Sequence, residues 1–247
     1  MLLNCDLGES YGSWTMGHDA SVMPHIDQAS IACGFHAGDP LTMRRTLALA
    51  AEHGVAIGAH PAYPDLVGFG RRSMALGSEE LIATLHYQIA ALDGMARSQG
   101  LTLSYVKPHG ALYHDMMGKA AVRSAVLQAV ATYAGCDQPL ALMLQANAHA
   151  AEYRAEAQAA SVPLLFEAFA DRCYADDGSL LPRSQAGAVH ERERMLAQVA
   201  QLQRDSAVTT HGGNILPLQF DTVCVHGDNP EGVAAIAAIR ALLQGAD

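Results

Sequence analysis

The feature that most restricts the fold of this chain is the two-faced character of its strand-like runs. Alternate residues of a strand share a face. In the run Val55 to His60, Val55 and Ile57 fall on one face, and Ala56, Gly58 and His60 on the other. In Leu140 to Gln145, Leu140, Leu142 and Leu144 oppose Ala141, Met143 and Gln145. Val223 and Val225 oppose Thr222, Cys224 and His226, and in Leu2 to Asp6 the pair Leu3 and Cys5 opposes Leu2, Asn4 and Asp6. The run Leu103 to His109 places Tyr105, Lys107 and His109 together. An open sheet covered by helices on both faces reads as near-continuous hydrophobic strands. One apolar face and one polar or small face fits a barrel instead, with helices outside and a site inside. The polar residues gather towards the strands' C-terminal ends, where barrel active sites lie.

Ala29 to Cys33 and Leu164 to Phe169 complete a set of about seven strands. Helical patterns separate them, which implies βαβ units and parallel pairing. Asp39 and Pro40 open one helix as N-cap and first residue, and Gly54 ends it. Ser78 is expected to cap the next, with Glu79 and Glu80 in its first turn. Leu81, Leu85, Ile89, Leu92 and Ala96 mark its buried face, and Gly100 stops it. Further helices are expected around Ala120 to Tyr133, His149 to Ala160, Glu191 to Arg204, and after Asn229-Pro230. No linker, low-complexity tract or internal repeat interrupts the series, so residues 1–247 read as one α/β barrel domain.

Counting Gly and leaving out Tyr, the apolar share is about 56%, and charged residues are only 16%. Such a chain buries a large core, which excludes disorder. With 25 acidic residues against 15 basic, the net charge of −10 repels phosphate backbones. The pairs Arg44-Arg45 and Arg71-Arg72 are isolated, so nucleic acid is not an expected partner. The cysteines Cys5, Cys33, Cys136, Cys173 and Cys224 are odd in number and widely spaced, as reduced thiols in a cytoplasmic protein are. No cationic leader precedes a hydrophobic segment, and no run approaches the ~18 apolar residues of a membrane span, so neither export nor a membrane is expected.

Asp6 and Glu9 lie at and just beyond the end of the first strand. An Asp there serves as general base, as metal ligand, or only as a partner for loop amides. Its inward parity favours function, since a buried carboxylate otherwise demands a partner. Lys107 points inward too, either for catalysis or in a structural ion pair with Asp6 or Glu167. His36, His60, His109 and His226 all follow strands, and four at successive strand ends point to a site. With Asp6 they supply an Asp/His/His set for a divalent metal, but no short-range ligand spacing is present. A metal is therefore possible without being expected as a barrel ligand. Cys33 and Cys224 read as packing. Asp39 and Asp228 read first as helix caps, and helix N-termini also offer amides to an anion. Arg71, Arg72, Arg172 and Arg183 come from two long loops; some are expected to reach a substrate carboxylate or phosphate, while any single one reads first as a solvated surface arginine. Neither G-x-x-x-x-G-K-[ST] nor G-x-G-x-x-G occurs.

The segments NCDLGESYG, IACGFHAGDP, GAHPAYPDLVGFGRR, VKPHGALYH, EAFADRCYADDGSLLPRSQAGAVH and VCVHGDNP, in this order, resemble the LamB/YcsF family of 5-oxoprolinase A subunits. The likeness runs from the first strand to the last helix. Two positions depart from the usual pattern, Ser30 before IACGFH and His114 after GALY, where Asn is common in both. The resemblance implies a divergent barrel related to polysaccharide deacetylases and glycoside hydrolases. It also implies ATP-dependent opening of 5-oxo-L-proline to L-glutamate in a complex with subunits B and C. ATP is then a co-substrate of the complex, although this chain lacks a familiar cradle for it.

On that reading Asp6, with His109 or His60, deprotonates water. Lys107 stabilises developing negative charge or the phosphate, and Glu167 orients that cation. Glu9, His36, Arg71, Arg183, His226 and Asp228 are the expected substrate contacts, with Arg183 or a helix N-terminus on the substrate carboxylate. Two alternatives stay open: a stand-alone metal-dependent deacetylase or sugar-acting hydrolase, and a non-catalytic scaffold or sensor subunit. The polar interior argues against a pure scaffold, because burying polar groups without a use is costly.

Overall fold

In a computed structural model, which describes residues 1–133 and 139–245, seven parallel strands close into a barrel. The strands are β1 (Leu2–Leu7), β2 (Gln28–Ala32), β3 (Ala56–His60), β4 (Leu103–Val106), β5 (Ala141–Gln145), β6 (Leu164–Phe169) and β9 (Thr222–His226). β9 lies between β1 and β6 and closes the ring. The register carries one inward set around the whole circumference. Asn4 pairs with Gln28 and Cys224, Asp6 with Ser30 and His226, Gly58 with Tyr105, and Gln145 with Glu167. The alternation in the sequence therefore reports the two faces of the barrel wall.

The apolar faces pack outward on the helices α2 (Pro40–His53), α3 (Ser78–Arg97), α5 (Ala120–Ala131), α6 (Ala150–Ala159), α7 (Arg192–Asp205) and α8 (Pro230–Gln244). Asp39 caps α2 as expected, accepting from the amides of Leu41 and Thr42 at 2.9 and 3.3 Å, and Gly54 ends it with φ 64°. Leu81, Leu85, Ile89, Leu92 and Ala96 are the buried stripe of α3. Its cap is Gly77 rather than Ser78, because Ser78 already lies inside the first turn and its side chain makes no cap bond. The last helix is capped by Asn229, whose side chain accepts from the Glu231 amide at 3.2 Å. Asp228 is displaced from that role by its arginine partners.

Strand pairing in β4 stops at Val106, short of the expected His109, because Pro108 has no amide to offer a ladder. The extended course continues nonetheless, since the Lys107 and His109 amides donate to Ala59 and Pro61 at 2.8 Å each. Three features have no counterpart in the sequence reading. They are a short turn of helix, α1 (Asp19–Val22), continued by a 3-10 turn at Met23–His25, the helix α4 (Gly110–Gly118), and an antiparallel hairpin of β7 (Ala207–Thr209) and β8 (Ile215–Pro217). α4 carries glycine at both ends and no capping side chain, so nothing local announces it. The cysteines at 5, 33, 173 and 224 are buried free thiols, while Cys136 lies outside the described residues. Among the described residues no helix is long and apolar enough to cross a membrane.

Gly58 lets the Tyr105 ring cross the barrel floor. A Cβ there would overlap the ring, whose hydroxyl meets Ser30 Oγ at 3.1 Å. Gly58→Ala is expected to destabilise by about 1–3 kcal/mol, as overpacking does. The urea midpoint measures this, and an unchanged midpoint would mean the ring moves aside freely.

Candidate active site

At the C-terminal end of the barrel a cavity of about 340 Å³ opens above the polar floor. Asp6, His60, Lys107, His109, Arg71, Arg183 and His226 line it, together with Tyr113, His114, Phe169 and the loop residues Leu180, Leu181 and Pro182. Of the expected catalytic group, Glu167 lies beneath the cavity, fully buried.

Lys107 is the hub of the floor. Its ammonium donates to Asp6 Oδ1 at 2.8 Å and Asn4 Oδ1 at 3.2 Å, and it pairs with Glu167 Oε2 at 2.9 Å. Cys224 Sγ lies 3.2 Å from the same nitrogen. Burial favours a neutral lysine, but Asp6 and Glu167 outweigh it and raise the Lys107 pKa well above its usual range. Burial likewise opposes ionisation of Asp6, yet His60, Lys107 and His226 hold its carboxyl well below the usual range. The Cys224 thiol is pushed up by burial and stays protonated. Tyr113, on α4, donates to Glu167 Oε1 at 2.8 Å and fixes that carboxylate. Two carboxylates and one ammonium thus share the floor.

His36, His60 and His109 gather on one side with Glu9. His60 Nε2 lies 3.5 Å from Asp6 Oδ2 and 2.9 Å from His109 Nδ1. His36 stacks on His109 with ring centroids 3.8 Å apart, and its Nε2 meets Glu9 Oε1 at 3.3 Å. Burial pushes all three imidazoles down, His60 to about 3, and pushes the Glu9 carboxyl up. Glu9 and these histidines form one group with converging donor atoms able to hold a metal. Asp6, Cys224 and His226 form another, but there the Lys107 ammonium already contacts Asp6 and Cys224.

His226 lines the same cavity as His60 and His109 but stands apart from their cluster. Its Nδ1 lies 3.0 Å from both oxygens of Asp171, and its ring stacks on Phe169. The sequence reading missed Asp171, although it continues the inward parity of Glu167 and Phe169. Burial opposes its ionisation, but His226 and Asn229 hold its carboxyl below the usual range. A carboxyl so lowered contributes stability above its unfolded pKa near 4 and loses it as pH falls, because the unfolded chain then binds the extra proton. Asp171→Asn is therefore expected to flatten the loss of stability between about pH 4 and pH 2. Urea midpoints at several pH values check this, and parallel profiles for the two proteins would contradict it.

The four loop arginines divide. Arg71 pairs with Asp228 at the mouth, and Arg183 lies 3.7 Å from the same carboxylate. Arg172 is buried and donates to the carbonyls of Leu181 and Ala188 at 2.6 and 3.3 Å, so it holds the loop that walls the cavity. Arg72 is bound to Asp65, outside the cavity lining.

A closed parallel (β/α) barrel with an ion-paired floor and acid–base side chains at its C-terminal mouth is the architecture of barrel enzymes. The chain belongs to the LamB/YcsF family, whose sequence profile matches residues 1–247. It is 56% identical over 246 residues to the 5-oxoprolinase A subunit 2 of Pseudomonas putida KT2440, covering 99% of this chain and 94% of that protein. It is 52% identical over 245 residues to the 5-oxoprolinase A subunit of Chromohalobacter salexigens, covering 99% and 97%. A crystal structure of the lactam utilization protein from Thermus thermophilus superposes with a TM-score of 0.89 at 38% identity, covering 99% and 96%.

Proposed function

We propose that this chain is the A-type subunit of a cytoplasmic, ATP-coupled 5-oxoprolinase and that its single barrel domain hydrolyses the activated lactam. A five-membered lactam is a poor electrophile. Phosphorylation of its oxygen by ATP, on the B and C subunits, makes the ring carbon open to attack. Water adds to that carbon while Asp6, backed by His60 or His109, takes the proton. The ring C–N bond then breaks, its electron pair leaves on nitrogen, and the nitrogen receives that proton. A second water hydrolyses the resulting acyl phosphate to L-glutamate and phosphate. Lys107 stabilises the negative charge that develops on oxygen, and Glu167 orients the ammonium. Arg183 or the start of α4 holds the substrate carboxylate, with Arg71, His226 and Asp228 at the mouth and Glu9 and His36 at the side.

The observation that carries this reading is the charged Asp6–Lys107 pair, 2.8 Å apart, at the floor of a cavity sized for a small ring. The names of the similar proteins agree with it. The test is glutamate release from 5-oxoproline and ATP by this chain alone, by the B and C subunits alone, and by all three. Release by the full mixture alone is expected, and failure of the full mixture with active partners would overturn it. The Glu9 and histidine group favours a second reading, a metal-dependent deacetylase, for which turnover of N-acyl substrates without partners is the mark.

A further inference from the structure

The three clustered histidines leave lone pairs facing one another. His60 Nδ1 lies 2.6 Å from the carbonyl oxygen of Lys107, which only accepts, so this nitrogen carries the ring proton. His109 Nε2 lies 2.9 Å from the carbonyl oxygen of Phe69 and carries its proton for the same reason. In neutral rings the remaining nitrogens, His60 Nε2 and His109 Nδ1, are then bare acceptors, yet they stand 2.9 Å apart with the rings at 87°. A third acceptor, Glu9 Oε1, lies 3.4 Å from His109 Nδ1. All of these side chains are buried. Two bare nitrogens 2.9 Å apart, with a carboxylate oxygen beside them, call for a cation between them.

We propose that His60 Nε2, His109 Nδ1 and Glu9 Oε1 form a binding site for one divalent transition-metal ion, open towards the cavity. Ligands of a tetrahedral ion with bonds of about 2.05 Å lie roughly 3.3 Å apart. The separations of 2.9 and 3.4 Å are close to that spacing. Both imidazoles are oriented by a backbone carbonyl on the opposite nitrogen, which is how metal-ligating histidines are held. Two imidazoles and one carboxylate suit zinc, cobalt, manganese or iron, whereas magnesium and calcium prefer oxygen alone.

His36 is a positioning residue. Its ring lies within 7° of parallel to His109, so the in-plane lone pairs of the two rings do not meet at one ion. Its Nε2–H donates to Glu9 and turns that carboxylate towards the site, while its Nδ1 has no partner among the described residues. Asp6 stays with Lys107 on the floor. The alternative occupant, a proton shared by His60 and His109, also places positive charge 3.4 Å from Glu9 Oε1, and metal titration with nitrogen-15 spectra separates the two. This site does not depend on the lactam reading, because its test reads metal alone.

The full-length chain, stripped with chelator and dialysed, is titrated with Co²⁺ and with Zn²⁺. One equivalent of either ion is expected to bind, with visible cobalt bands of a low-coordinate nitrogen and oxygen site. His109→Gln and Glu9→Gln are expected to weaken binding at least 100-fold with the circular dichroism of the folded protein intact. His36→Ala is expected to weaken it about tenfold. His149→Ala, on the exposed start of α6, leaves it unchanged. Absence of saturable binding by the folded wild-type chain overturns the site, and so does binding that survives both ligand substitutions. Nitrogen-15 spectra showing one proton shared by the two imidazoles in the metal-saturated protein overturn it as well.

Discussion

Lys107→Ala is expected to destabilise the protein by about 3–5 kcal/mol and to end turnover. The ammonium is the shared cation of Asp6 and Glu167, which are 5% and 0% exposed. Removing it leaves two carboxylates in the barrel interior with no bulk water to solvate them, and that is the costly way to break a buried ion pair. Tyr113 continues to donate to Glu167, but one neutral donor is weaker compensation than a full charge. Glu167→Gln added to Lys107→Ala removes one of the stranded charges and is expected to recover part of the loss. Urea unfolding of the single and double variants measures this. A single variant with the wild-type midpoint would show that the floor is not held by its ion pairs.

Asp6→Asn is expected to lower glutamate release by the full complex about 10²- to 10⁴-fold, the range ascribed to a positioned acid–base group. The fold is expected to survive. Asn keeps the shape of Asp, the amide oxygen still accepts from Lys107, and Glu167 still balances the ammonium. The loss is of the atom that takes a proton from water in the proposed reaction. Glutamate release under saturating 5-oxoproline and ATP reads the effect, and a rate within a few-fold of wild type would remove Asp6 from the chemistry.

The barrel is legible in the sequence because each strand writes the two faces of the wall as an alternation. Gly58, Lys107 and Cys224 all fall on the inward side that parity assigns. The site is legible in its residue types and less so in its grouping. Parity puts His60, His109 and His226 inside but says nothing of angle around the axis. Only the strand order, with β9 between β1 and β6, carries His226 away to Asp171. Glu9 and His36 lie on loops beyond β1 and β2, where no period applies, and they meet because Asp6 and Ser30 are register neighbours. α4 is hidden because its start is set by tertiary contact: the Ala111 amide donates to Gly70, and a side chain at Gly110 would press on the same carbonyl. The cap expected of Asp228 is lost to Asn229 through the pull of Arg71 and Arg183, which arrive from distant loops.

The central claim is that partner subunits activate the lactam and this barrel opens it. The most direct test follows ADP and glutamate together in the full complex, with the wild-type chain and with Asp6→Asn. With the wild-type chain the two products are expected in a ratio near one. With Asp6→Asn, ADP formation dependent on 5-oxoproline is expected to continue, at least through one turnover, while glutamate falls at least 100-fold. Glutamate released in step with ADP at the wild-type rate would place the ring opening on another subunit.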